Sequence, residues 1–130
     1  MSWARLDDQM PDDPKVSNLS NQGFRAYVTA ICFSARTLSD GVLTARQASG
    51  IAGKRVLPEL VPLLWHEGGG HCDSEHCQHL CGVPPGSFLI HNYLKYNATR
   101  EKVLADRERN NQRMKAERAG PLQAHVQAHK

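Results

Sequence analysis

Within the sixteen residues from His66 to Cys81, seven are His or Cys: His66, His71, Cys72, His76, Cys77, His79 and Cys81. Thiolate sulfur and imidazole nitrogen are the donors that hold zinc in a closed tetrahedron. In a reducing compartment, cysteines at this density point to a metal and not to disulfides. Cys72, Cys77 and Cys81 are spaced C-x4-C-x3-C and supply three sulfurs, so one imidazole completes the four ligands. Adjacent side chains in extended backbone point apart, which counts against His71 beside Cys72 and His76 beside Cys77. His66, on the approach to the loop, is the favoured fourth ligand, with His71 and then His79 as alternates. The expected site is therefore His66, Cys72, Cys77 and Cys81 around a structural Zn2+. His91, farther along, is assigned a packing or hydrogen-bonding role. Gly68-Gly69-Gly70 suits a chain that bends sharply around an ion. The plainer alternative is an irregular loop with chance cysteines, but three exposed thiols there would be open to oxidation.

Catalysis is a poor fit to this window. Glu67 and Glu75 are available as acid or base, but three thiolates suit a closed structural site better than one with a position left for water. The chain shows no nucleophile triad and no phosphate- or dinucleotide-binding glycine pattern, so the expectation is a protein that is not an enzyme.

Several elements must position these residues. Residues 1–18 hold Trp3, Leu6, Met10 and Val16 among Asp and Pro, which reads as an extended arm with its apolar side chains packed on the domain. Residues 20–38 form the clearest helix, capped by Ser20 or Asn21, with Phe24, Val28, Ile31, Cys32, Ala35 and Leu38 as its apolar stripe. Cys32 on that stripe reads as a buried thiol. Ser39-Asp40-Gly41 stops the helix and Val42-Leu43 makes a very short strand. Thr44 caps a short helix to about Ala52, ended by Gly53. Lys54-Arg55 opens a further helix that cannot comfortably contain Pro62. Val56, Leu57, Leu60, Val61 and Leu64 read as core. A strand over residues 63–66, the His/Cys loop and a returning strand over 87–91 follow, with Trp65 facing Phe88 or Ile90. Residues 99–118 favour helix by propensity, but their apolar stripe is thin. Gly120-Pro121 breaks that helix.

The order helix, strand, helix, helix, strand, loop, strand is that of a winged helix-turn-helix. The expected fold class is thus mostly α (α+β): a winged-helix domain over 1–98 with a His/Cys insertion at 66–81 and a zinc-stapled wing hairpin, a basic C-terminal helix at 99–118, and a flexible tail at 119–130.

The chain of 130 residues has a net charge of +3, and that average hides a split. Residues 1–94 carry 7 basic and 9 acidic side chains, whereas residues 95–130 carry 9 basic and 4 acidic. A basic arm beside a mildly acidic body points to an anionic surface such as nucleic acid. The expected partner is double-stranded DNA. Arg46, Gln47, Lys54 and Arg55 are the candidates for the groove. Arg100, Lys102, Arg107, Arg109, Arg113, Lys115 and Arg118 are the candidates for phosphates. The plainer reading of the latter group is a solvated helix with internal ion pairs. No apolar run is long enough for a membrane span, and the first residues show no secretory pattern, so a cytoplasmic location is expected.

Three stretches carry a resemblance. Trp3-Ala-Arg-Leu-Asp-Asp8 with Asp13-Pro-Lys-Val16, Leu38-Ser-Asp-Gly-Val42, and Phe88-Leu-Ile-His-Asn-Tyr-Leu-Lys-Tyr-Asn97 are similar to winged-helix proteins of actinobacterial phages and prophages. These resemble the N-terminal domain of replisome-organiser and replication-initiation proteins. The resemblance covers roughly residues 3–105. It implies DNA binding at an origin or operator, in replication initiation or transcriptional control, with replication or transcription proteins as partners. Two features depart from the pattern: there is no second helical domain to contact a helicase or loader, and the wing carries the His/Cys insertion. An alternative function is a winged-helix module that binds a host or phage protein, and the 99–118 helix offers a route to a homodimer.

Overall fold

A computed structural model describes residues 3–128, with side chains through Ala119. The chain divides into two units, residues 1–98 and 99–130. The first unit is α+β, with a three-stranded antiparallel sheet of order β1-β3-β2. After a 3₁₀ turn at Met10–Asp12, its elements are α1 (Pro14–Ser17), α2 (Asn21–Thr37), β1 (Val42–Leu43), α3 (Ala45–Leu60), β2 (Trp65–Glu67), a 3₁₀ stretch at Glu75–Gly82, β3 (Phe88–Ile90) and α4 (Tyr93–Tyr96). The second unit is the helix α5 (Arg100–Ala128).

Local chemistry accounts for the helix boundaries. The Ser20 hydroxyl accepts from the Gly23 amide at 3.0 Å, satisfying one of the free donors of the first turn of α2. Ser20 is itself held by Glu59, whose carboxylate accepts from the Ser20 amide and hydroxyl at 2.8 and 2.9 Å. Thr44 and Gln47 form a reciprocal capping box at the start of α3. Gly53, at φ 75° and ψ 169°, breaks α3 into the two pieces expected from the sequence, because its backbone takes a conformation that side chains with a Cβ disfavour. The second piece ends at Leu60, two residues before Pro62.

The main core lies between the helices and one face of the sheet. Ala26, Tyr27, Ala30 and Ile31 of α2, Val56 and Leu60 of α3, and Leu43, Trp65, Phe88 and Ile90 of the strands are all buried in it. Trp65 pairs in register with Ile90, and its ring lies 6.4 Å from that of Phe88. Of the two alternatives that the sequence offered, Ile90 is the register partner of Trp65, and Phe88 lies beside its ring as well. Of the helix-end residues assigned to the core, Val56, Leu60 and Leu64 are buried, and Leu57 and Val61 are half-buried against it.

Two expectations for the first unit are corrected. The buried face of α2 runs through Gly23, Ala26, Tyr27, Ala30, Ile31 and Ser34, rotated from the apolar stripe. Phe24 and Cys32 therefore point outward, and the Cys32 thiol is exposed. The cause is Ser34, buried at 0 % exposure. Its hydroxyl oxygen accepts from the Gly41 amide at 2.7 Å and shares a 2.7 Å hydrogen bond with Ser39, so a polar side chain is satisfied inside. In the N-terminal arm Val16 is buried, but Trp3 is 81 % exposed and does not pack on the domain.

Helix α5 begins where expected, with the Thr99 hydroxyl accepting from the Lys102 amide at 3.2 Å. It continues through Gly120-Pro121 to Ala128, where the sequence predicted a break and a flexible tail. Proline's fixed φ is itself helical, so Pro121 forgoes a backbone donor without requiring a different φ. Residues 129–130 of the expected tail lie outside the described residues. No helix among the described residues is long and apolar enough to cross a membrane.

Candidate metal centre

Cross-strand partners share a face of an antiparallel sheet, and successive residues alternate faces. Trp65 and Ile90 are partners and point into the main core. His66 and Leu89 are partners on the opposite face, and His91, two residues past Leu89, belongs to that face as well. The His91 amide continues the ladder by donating to the Leu64 carbonyl at 2.7 Å.

The chain from Gly68 to Ser87 folds back over this second face. The turn begins at Gly68, where a Cβ would lie 1.9 Å from the Pro84 carbonyl oxygen, so only glycine lets the two strands of the insertion's neck pass. Cys77, Leu80 and Val83 of the insertion bury Leu89, with Val42 and Cys72 at the edge of the cluster. All three residues of β3 are consequently buried. The insertion is a lid on the sheet, held by its own small core.

Four side chains converge at the edge of that core. One ligand atom each of His66, Cys72, Cys77 and His91 lies within 4.8 Å of the others. His66 Nε2 is 2.8 Å from His91 Nδ1. The Cys72 and Cys77 sulfurs are 3.5 and 3.6 Å from the same His91 nitrogen. A tetrahedral zinc site with Zn–N of about 2.05 Å and Zn–S of about 2.3 Å has N···S edges of about 3.6 Å. The two His91 N···S separations match those edges, whereas the 2.8 Å between the imidazole nitrogens is shorter than the tetrahedral N···N edge of about 3.3 Å, so the rings would move apart to admit an ion. The two imidazole rings are almost perpendicular, at 88°.

The surroundings prepare these groups to bind a cation. The His66 Nδ1–H donates to the Pro62 carbonyl at 2.9 Å, leaving the Nε2 lone pair turned to the cluster. Burial lowers the pKa of His66. Burial, followed by the charges of His66 and Lys15, pushes that of His91 down to about 4. Both rings are therefore neutral near pH 7, the form in which an imidazole can coordinate a metal. The Asn92 amide donates to the Cys77 sulfur at 3.3 Å, which favours the thiolate. Asn92 can aim this amide because it sits at φ 56°, in the left-handed region that asparagine tolerates. Burial nonetheless pushes the Cys77 thiol up, and a divalent cation held among four such donors would offset this by favouring the thiolate.

The structure brings together three of the four expected ligands, His66, Cys72 and Cys77, and replaces the fourth. Cys81 is exposed and its thiol donates to the Gln78 carbonyl at 3.4 Å, away from the cluster. The 3₁₀ stretch places it outside the face that carries Cys77. The alternates are also engaged elsewhere. His71 pairs with Asp73 at 2.6 Å in solvent. His79 donates from Nε2 to the Asp40 carbonyl at 2.9 Å, tying the insertion to the turn before β1. His91 is the member of the cluster that sequence reasoning left out. The signal was present, because pairing Trp65 with Ile90 puts His66 and His91 on one face.

Of the groove candidates, Arg46, Lys54 and Arg55 are exposed. Gln47 is half-buried and its amide oxygen accepts from the Thr44 amide at 2.9 Å, so its side chain is engaged in the helix cap. The seven basic candidates of α5 are all exposed. Ion pairs within the helix include Lys102 with Asp106 at 3.0 Å, Arg109 with Asp106, and Arg113 with Glu117 at 3.9 Å.

Comparison of the chain with protein families, curated proteins and solved structures returns no match.

Proposed function

We propose that the protein is a winged-helix, double-stranded DNA-binding protein whose wing region is closed by zinc. The observation that carries this reading is the order α2, β1, two-part α3, β2, β3 with strand order β1-β3-β2. In that arrangement the second piece of α3 is the element that enters the major groove. Its first residues, Lys54 and Arg55, are exposed basic side chains at the end that would meet base edges and phosphates. The basic α5 would add phosphate contacts that raise affinity without reading sequence.

The metal that two imidazoles and two thiolates suit best is zinc. Four protein ligands leave no open position, so its role is structural: it fastens the insertion to the sheet and is not a reaction centre. A role in replication initiation or transcription follows from the resemblance noted in the sequence, with a cytoplasmic setting.

Fluorescence anisotropy on a random-sequence duplex tests DNA binding. Affinity is expected to fall steeply from 50 to 200 mM salt, with each phosphate contact adding about 0.9 to the log–log slope. Replacing Lys54 and Arg55 together by Ala should weaken binding. Absence of binding at low salt would overturn this reading in favour of a protein-interaction module. Gln47 and Glu59 are already engaged within the fold, leaving that helix few free polar groups for bases. Metal analysis of protein purified without added zinc tests the other half, with about one ion per chain expected.

A further inference from the structure

We propose that the metal centre is also a redox latch: oxidation joins Cys72 to Cys77, expels the zinc and frees the insertion from the sheet. This rests on the zinc reading above. Three observations support it. Cys72 and Cys77 are the two sulfurs of the cluster, within 4.8 Å of each other. Both come from the insertion, while both imidazoles come from the strand face. A bond between the sulfurs therefore removes every ligand the insertion contributes and leaves the sheet's ligands behind. Finally, Cys72 is only half-buried whereas Cys77 is 1 % exposed, so an oxidant from solvent reaches Cys72 first and Cys77 is the protected resolving thiol.

The chemistry balances with hydrogen peroxide as the oxidant. The Cys72 thiolate attacks one peroxide oxygen: an S–O bond forms, the O–O bond breaks, and the departing hydroxide takes a proton to become water. The Cys77 thiolate then attacks the Cys72 sulfur. The S–S bond forms, the S–O bond breaks, and the second hydroxide leaves as water after protonation. Two thiolates lose two electrons, peroxide gains two, and two protons are consumed. Neither sulfur retains the negative charge that held the cation, so zinc leaves as the dication.

Cys32 and Cys81 are exposed thiols outside the cluster, so the pairing itself is a specific expectation. Cys81 is close to Cys77 in sequence, but its sulfur does not belong to the group that converges on His91.

The test uses the full chain as purified with its zinc, titrated with hydrogen peroxide in the presence of a chromogenic zinc indicator. Free thiols should fall from four to about two as about one zinc per chain appears in solution. Peptide mapping should find the Cys72–Cys77 disulfide, and a thiol reductant with added zinc should reverse the change. A variant carrying both Cys32→Ser and Cys81→Ser should release zinc with the same peroxide dependence. Zinc that stays bound after Cys72 is oxidised, or a dominant disulfide involving Cys81, would overturn the latch while leaving the zinc reading intact. A chain that takes up no zinc even when reduced would remove both.

Discussion

His66 and His91, 25 positions apart in sequence, meet diagonally across the β2–β3 pair, Nε2 to Nδ1 at 2.8 Å. Both project from the sheet face opposite the helices, and the insertion brings Cys72 and Cys77 to them. Sequence-local cysteines and a sequence-distant histidine thus form one centre. Replacing His91 by Ala should lower zinc affinity more than about 100-fold, beyond the roughly tenfold to 100-fold effect of altering an outer partner. His66→Ala should do the same. Cys81→Ser should leave the stoichiometry unchanged. Competition with a chelator of known affinity measures all three, and a Cys81→Ser protein that loses its metal would sink this ligand assignment.

Much of the fold was legible because punctuation residues act locally. Ser20, Thr44, Gly53 and Pro62 set helix boundaries through single hydrogen bonds or backbone limits, and the structure uses each of them in that way. The face of α2 was not legible, because hydropathy counts Ser34 as polar and cannot register the Gly41 amide that satisfies it inside. Within the site, His66, Cys72 and Cys77 were found from residue type and spacing. Cys81 was included because a spacing rule knows nothing of the 3₁₀ stretch that turns it away. His91 was missed because its contribution comes from strand register, a long-range property.

Ser34 makes a stability prediction of its own. Ser34→Ala removes an acceptor 2.7 Å from the Gly41 amide in a fully buried position. The stranded donor should cost about 1–3 kcal/mol. Urea denaturation followed by circular dichroism measures it, and a change below about 0.5 kcal/mol, the level of an ordinary surface substitution, would show that the bond is replaced by another partner.

Gly68→Ala should disturb the neck of the insertion specifically. The added methyl would overlap the Pro84 carbonyl, which belongs to the backbone and cannot rotate away. The two strands of the neck must separate, displacing Cys72 and Cys77 relative to the sheet. Weaker zinc binding is expected together with a loss of about 1–3 kcal/mol from overpacking. Zinc titration of the variant decides this, since wild-type affinity would mean the neck absorbs the change.

Tyr27 gives the alkaline limit of stability. Its ring is buried in the main core, and desolvation, followed by the charges of Asp13 and Tyr96, raises its hydroxyl from the ordinary tyrosine value of 10.0 to about 12. The folded chain therefore keeps a proton that the unfolded chain releases above pH 10, so the native state binds more protons and stability falls as pH rises through this range. The loss should reach about 2–3 kcal/mol by pH 12, at 1.36 kcal/mol per unit. Denaturation midpoints between pH 9 and 12 for wild type and Tyr27→Phe check it: the phenylalanine variant should show a flatter decline, and parallel curves would exclude Tyr27 as the cause.

Metal removal should separate the two cores of the first unit. The main core holds α2, α3 and one face of the sheet through residues such as Ile31, Leu60, Trp65 and Ile90, none of which is a ligand. The second core is only Cys77, Leu80, Val83 and Leu89 with two flanking residues, and one of its members, Cys77, is a proposed ligand. An apolar cluster that small does not readily offset the conformational entropy of ordering the insertion. Other ties, Ser74 to Asn92, the Asn92 amide to Cys77 and the His79 ring to the Asp40 carbonyl, are individual hydrogen bonds. A chelator should therefore raise hydrogen exchange across residues 68–87 by about tenfold or more while the buried turns of α2 keep their protection, a sub-global opening. Equal loss of protection in both regions would mean that the metal holds the whole unit together. No change in either would mean that apolar contact alone keeps the insertion on the sheet.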